Sequence, residues 1–195
     1  MTTATAWEEV KKPTVVLEED KSVREVWWEG NTDFDLLKQV RSDIDSARRN
    51  KDVKTLRVTL MSPGGPVVMI METARLVRAA SDSGLVVEIH ARGVIASGGT
   101  FLLAAGTPGK RFITKETLVL VHGIQYQGSC YAFVKDPKTE EAKAVNAILN
   151  ILRDLYVRLT TQPQSLVEKW LTCGEEQVGD GQLAVDLKLA DAVEK

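Results

Sequence analysis

Imidazole and thiol are scarce in this chain, which has two histidines, His90 and His122, and two cysteines, Cys130 and Cys173. There is no H-E-x-x-H spacing and neither cysteine lies in a ligand cluster, so no metal site is expected, and no cofactor. Two cysteines make no disulfide framework; both read as reduced, partly buried thiols. Long apolar runs are missing as well. Val67 to Met71 is too short to span a bilayer, and the N-terminus lacks the basic start and apolar core of a secretory signal, so the expectation is a cytoplasmic protein with no membrane partner. Nor is there an excess of either charge: 25 basic residues stand against 27 acidic ones, a net charge of −2. Without a basic run, nucleic acid is not expected as the main partner.

What remains is material for one ordinary globular domain: 195 residues, 44% hydrophobic and 27% charged. Met1 to Asp20 has no steady periodicity and reads as an arm with one short strand, Thr14 to Leu17, and with Trp7 as an anchor or packing plug. From residue 21 on, strand and helix patterns alternate. Val23 to Trp28 is a strand. A helix started by Asp33 runs from Phe34 to about Arg49, with Phe34, Leu37, Val40, Ile44 and Ala47 on one apolar face. Strand Leu56 to Met61, helix Pro66 to about Ala80, strand Leu85 to Ile89, a helix from Ser97 to Ala105 and strand Leu118 to His122 follow, with His90 a bland strand-end residue. Such alternation predicts an α/β fold with a mostly parallel sheet. After His122 the polar, β-prone stretch to Val134 leads to a long helix from Thr139 to about Leu159, with a stripe of Ala144, Ile148, Ile151, Leu152, Leu155 and Leu159.

Three pieces of this pattern carry chemistry. Ser97 sits at the mouth of a helix, near the positive end of its dipole and beside free N–H groups, where a hydroxyl can attack a carbonyl. A serine there is equally suited to cap the helix. His122 ends a strand, where a base can face the serine from another element. Ser62-Pro63-Gly64-Gly65 joins a strand to a helix, and its glycines allow close backbone approach and leave amides free for an anion.

Together with Gly93-Val94-Ile95-Ala96-Ser97-Gly98, Phe101-Leu102-Leu103-Ala104-Ala105-Gly106, Gly109-Lys110-Arg111-Phe112 and Val121-His122, these pieces resemble the Clp protease proteolytic subunit family, serine peptidases of the crotonase-like superfold. The resemblance covers roughly Val23 to Asp191. It implies a compact head of repeated strand-helix units on residues 21–195, with a protruding strand-helix handle over about 123–160. It also implies Ser97 as nucleophile, His122 as general base, and the amides of Gly65 and Gly98 as the oxyanion hole. The expected product is a serine endopeptidase acting on polypeptides inside a homo-oligomeric ring of six or seven subunits, which stacks through the handle into a double ring. An AAA+ unfoldase is the partner that the family's N-terminal segment touches; the arm here departs from that segment.

The family's third catalytic residue is an aspartate after the handle helix. Its place falls on Thr172 or Ser165, depending on where the match is anchored, and neither is a carboxylate. Glu168, Glu175, Glu176 and Asp180 lie close by, with Asp180 the favoured one. This departure motivates a second expectation, a catalytically impaired subunit that scaffolds a ring. A third comes from Ala96-Ser97-Gly98-Gly99, which resembles signal peptide peptidase A, where a lysine is the base; Lys135, Lys138 and Lys143 lie downstream.

Overall fold

The computed structural model describes residues 20–126 and 129–194; the N-terminal arm, with its expected strand and Trp7, lies outside them. The chain runs β1 (Val23–Glu29), α1 (Phe34–Arg49), β2 (Thr55–Ser62), α2 (Val67–Asp82), β3 (Val86–Ala96), α3 (Gly98–Ala105), β4 (Arg111–Thr114), β5 (Leu118–Val121), β6 (Ile124–Tyr126), β7 (Ser129–Tyr131), α4 (Glu140–Thr160), α5 (Gln164–Trp170), β8 (Gln177–Gly179), α6 (Gly181–Asp186) and β9 (Ala192–Glu194). The mostly parallel α/β architecture is as expected. Strands β1-β2-β3-β4-β9 lie side by side in parallel, and only β8 joins antiparallel, on β5.

Strand β3 is the branch point. It is much longer than the five residues expected, because it serves two neighbours in turn: Ile89 to Ala91 pair with β4, and Val94 to Ala96 pair with β5. His90 is therefore a mid-strand residue rather than a strand end. Its ring contacts Glu194 and Glu88 and lies against Phe112.

The inner face of the sheet alternates with period two, as Leu56, Val58 and Leu60 of β2 demonstrate, all fully buried. Helix α1 lays Leu36, Leu37, Val40, Ile44 and Ala47 on this core. Phe34 does not join them. It is 57% exposed, with the Lys38 ammonium over its ring, while Leu36 and Leu37 of the same turn face the core. In α4 the buried stripe is Leu149, Leu152, Leu155, Tyr156 and Leu159. Ile151 and Ala144, both expected on it, are exposed: only the C-terminal half of the helix packs on the core.

The outer face carries a row of charges across three strands, where register sets Glu25 beside Arg57 and Arg57 beside Glu88. Glu88 is nearly buried and accepts from Arg57 (2.6 Å), His90 and Lys110. Burial alone would raise its carboxyl, but these three donors outweigh it and hold the group at about 2. A depressed carboxylate contributes stability above its unfolded value, near 4.5, and loses it as pH falls towards 2. Arg57 and Lys110 are each nearly half exposed, so screening reduces the contribution to about 1–2 kcal/mol. Thermal melts of Glu88→Gln against wild type should differ by that amount at pH 7 and converge near pH 2.

Cys130 and Cys173 are joined in a disulfide, which corrects the expectation of two reduced thiols. Composition does not show that β7 and the turn after α5, 43 residues apart, face each other. Closing a loop of that length removes up to about 4 kcal/mol of unfolded-state freedom. Denaturant unfolding with and without dithiothreitol is expected to show a loss of this order.

No helix among the described residues is long and apolar enough to cross a membrane.

Candidate active site

The carboxyl ends of the parallel strands are where ligands bind in open α/β sheets. Here β2, β3 and β5 all end at one cleft of about 60 Å³, whose lining includes Gly65, Ser97, Gly98, His122, Gln125 and Leu171. A larger concavity, about 590 Å³, lies at the opposite ends of β2 and β3 among Arg48, Lys51, Lys54 and Ser83, and there the Ser83 hydroxyl donates to Ala80 O and accepts from Arg48.

Ser97 occupies the single residue between β3 and α3, with φ 50° and ψ −121°. A non-glycine residue at positive φ costs about 1–3 kcal/mol and persists only where the surroundings enforce it. They do: its amide donates to Leu120 O (2.8 Å), and its carbonyl accepts from the Thr100 amide and from Thr100 Oγ1. The Thr100 hydroxyl proton is thereby committed, so the Tyr156 hydroxyl on α4 donates to Thr100 (2.6 Å). Burial pushes the Tyr156 phenol well above its ordinary value, with Thr100 opposing only in part. That proton stays in place. Phe101 stacks on the Tyr156 ring, and Trp170 meets it edge-on.

The alternative of a capping serine is not what the geometry presents. The Ser97 side chain makes no capping hydrogen bond to α3, so its hydroxyl is left for the cleft. No G-x-S-x-G surrounds it, yet the strained strand-to-helix turn resembles the arrangement that such a motif creates.

The loop Ser62–Gly65 is pressed against this turn. Gly64, at φ +99°, leaves no room for a side chain: a Cβ there would lie 2.6 Å from Gly98 N and 2.7 Å from Ser97 Cβ. Gly65 is equally tight against Thr32 O. The loop is held by the buried Ser62, whose Oγ accepts from the Gly64 amide and bonds Thr32 Oγ1, while the Thr32 amide donates to Gly64 O. No protein acceptor among the described residues takes the Gly65 amide, and Gly98, as first residue of α3, has no intrahelical partner for its own. Two free donors thus line the cleft beside Ser97.

His122 follows β5 by one residue, and the pairing of Ala96 with Leu120 sets it alongside the serine turn. Its Nδ1 lies against the Gly123 carbonyl. A carbonyl only accepts, so Nδ1 carries the proton and Nε2 keeps its lone pair. This is the tautomer a base needs. Gly123 in turn abuts Leu171 O, where a Cβ would lie at 2.5 Å, so the end of α5 closes one wall.

The other sequence candidates lie elsewhere. Asp180 caps α6 by accepting from the Gln182 amide and stands near Leu118, at the far end of β5 from His122. Thr172 donates its hydroxyl to Glu168 O (2.8 Å), and Ser165 is exposed on α5. Glu168 is engaged by Arg153 and Gln164. Lys138 and Lys143 pair with Asp136 and Glu140 in solvent, Lys135 is exposed, and none of the three lines the cleft. Among the described residues no cluster of three or more His, Cys, Asp or Glu could hold a metal ion.

Sequence reasoning named Ser62 in the glycine loop but did not find the rest of the site's support: Thr32, Thr100 and Tyr156. Their signal was weak, since each is a common residue whose partner lies on another element. The Clp protease family model matches residues 16–195 of the chain.

Proposed function

Since the chain belongs to the Clp protease family, and so to a family of peptidases, we propose that it is a serine endopeptidase with Ser97 as nucleophile and His122 as general base. The observation that carries this reading is Ser97 itself. It is uncapped, held at positive φ, and shares one cleft with a histidine whose Nε2 is free.

The chemistry balances with these groups alone. As Ser97 Oγ attacks a peptide carbonyl, its proton passes to His122 Nε2, and the carbonyl oxygen becomes an oxyanion between the Gly65 and Gly98 amides. The C–N bond then breaks, and His122 returns the proton to the departing amine. Water attacks the resulting ester with His122 again taking the proton, which frees the acid and restores Ser97.

The proposed substrate is a polypeptide, and the proposed assembly is a ring of six or seven copies of this chain, with an AAA+ unfoldase as the further partner that the family implies. Exposed apolar side chains on the single subunit support assembly: Val68 and Val178 are each 64% exposed and Leu118 51%.

Labelling with a fluorescent fluorophosphonate tests the enzyme reading. Wild-type protein is expected to be modified at Ser97, and His122→Ala to be modified far more slowly. Assembled wild-type protein that takes no label overturns it. One observation favours the second reading, a scaffold subunit without turnover: among the described residues no carboxylate is hydrogen-bonded to His122, and the hydroxyl of Thr172 is spent on Glu168.

A further inference from the structure

Strands β5 and β8 pair antiparallel, with Val119 opposite Gly179, Leu120 opposite Val178 and Val121 opposite Gln177. The ladder ends at Val121 and Gln177, and the next residue along it on either side is His122 and Glu176. Directly opposed residues of an antiparallel pair present their side chains on the same face, with Cβ atoms about 5 Å apart. Glu176 is therefore the acidic residue that the register delivers to the base.

Its surroundings fit that place. The carboxylate accepts from the Gly174 amide (3.1 Å), which turns it back along its own segment, and no lysine or arginine pairs with it among the described residues. Backbone amides of Glu176 and Gly174 hold its carboxyl below the usual range, and the positive form of His122 adds to this. Three residues earlier, Cys173 ties the same turn to β7 through its bond to Cys130. The segment is thus pinned at Cys173 and again by the β8 ladder, with Glu176 between the two anchors. By contrast Glu168 is occupied, and Asp180 caps a helix at the far end of the strand.

We infer that Glu176 is the carboxylate that stabilises the positive form of His122, brought beside it by the β5–β8 register, while the Gly123 carbonyl holds Nδ1. The inference rests on the proposed function only for its kinetic consequence. The electrostatic pairing of Glu176 with His122 holds whether or not Ser97 turns over substrate.

The test uses both readouts. The chain has two imidazoles, so carbon-13 histidine NMR of the intact protein follows His122 and His90 separately. A carboxylate beside the ring changes its electronic environment, so Glu176→Gln is expected to move the carbon-13 resonances of His122 at fixed pH while leaving those of His90 in place. In peptide hydrolysis the same variant should lose about fivefold to tenfold in kcat, the scale of one charge acting across about 4 Å of water. KM should be little changed. Glu176→Asp should recover part of both effects. Unchanged His122 resonances in Glu176→Gln overturn the inference, whatever the activity. Moved resonances in a protein whose Ser97 takes no fluorophosphonate uphold the pairing and remove the peptidase reading instead.

Discussion

Ser97→Ala is expected to lower peptide hydrolysis on the order of a million-fold, the scale on which loss of a serine nucleophile acts when base and oxyanion donors stay in place. What survives is the acceleration from the Gly65 and Gly98 amides and from binding alone. Alanine inherits the positive φ, so stability should barely move. Ser97→Gly separates the two properties. Glycine adopts φ 50° without steric cost, so this variant should be equally inactive yet more stable by about 1 kcal/mol. The strained turn would then be a cost borne for activity. Steady-state hydrolysis of a fluorogenic peptide and denaturant unfolding of the three proteins check both parts. A Ser97→Ala rate within tenfold of wild type removes the nucleophile assignment, and a less stable Ser97→Gly removes the strain argument.

The second large effect is expected at Gly64. An alanine Cβ there would meet Gly98 N at 2.6 Å, Ser97 Cβ at 2.7 Å and Ala96 O at 3.0 Å, and the residue stands at φ +99°. Two of these three neighbours are backbone and the third is the nucleophile's own Cβ, so the strain cannot be relieved by a rotamer change. Left-handed strain and overpacking together should destabilise Gly64→Ala by about 2–4 kcal/mol. The loop must also retreat from the serine turn, carrying the adjacent Gly65 amide out of reach of the oxyanion, which costs about 100- to 1,000-fold in kcat. Gly109→Ala is the control. Gly109 also has positive φ, +81°, but nothing lies within 4 Å of its Cβ position, so it should lose about 1 kcal/mol of stability and keep its rate. Equal activities in the two variants would mean that the loop does not set the oxyanion site.

Much of the fold was legible because the signals are local. The period-two burial of β2 and the apolar face of α1 follow from which side chains must leave water, and Asp33 and Thr139 cap α1 and α4 as their side chains dictate. Failures came where tertiary contacts decide. Periodicity placed Phe34 and Ile151 on buried faces, but both stand more than half exposed. Helix α5 and strands β4, β8 and β9 are too short for their pattern to stand out, and depend on neighbours distant in the chain.

The candidate site divides in the same way. By itself the sequence determined the alternation of strands and helices, the apolar stripes, the glycine loop before α2 and the serine-glycine turn before α3, because each depends on residues within a few positions of one another. Only the tertiary structure decided that β3 forks to reach both β4 and β5, that Ser97 stands uncapped at positive φ, that the Gly123 carbonyl selects the tautomer of His122, that Cys130 meets Cys173, and that Asp180 stands at the far end of β5 from His122. Each of these is a matter of register or partner choice between segments far apart in the chain. A one-residue slip in a strand pairing leaves the local pattern intact and moves every one of those side chains to the wrong face.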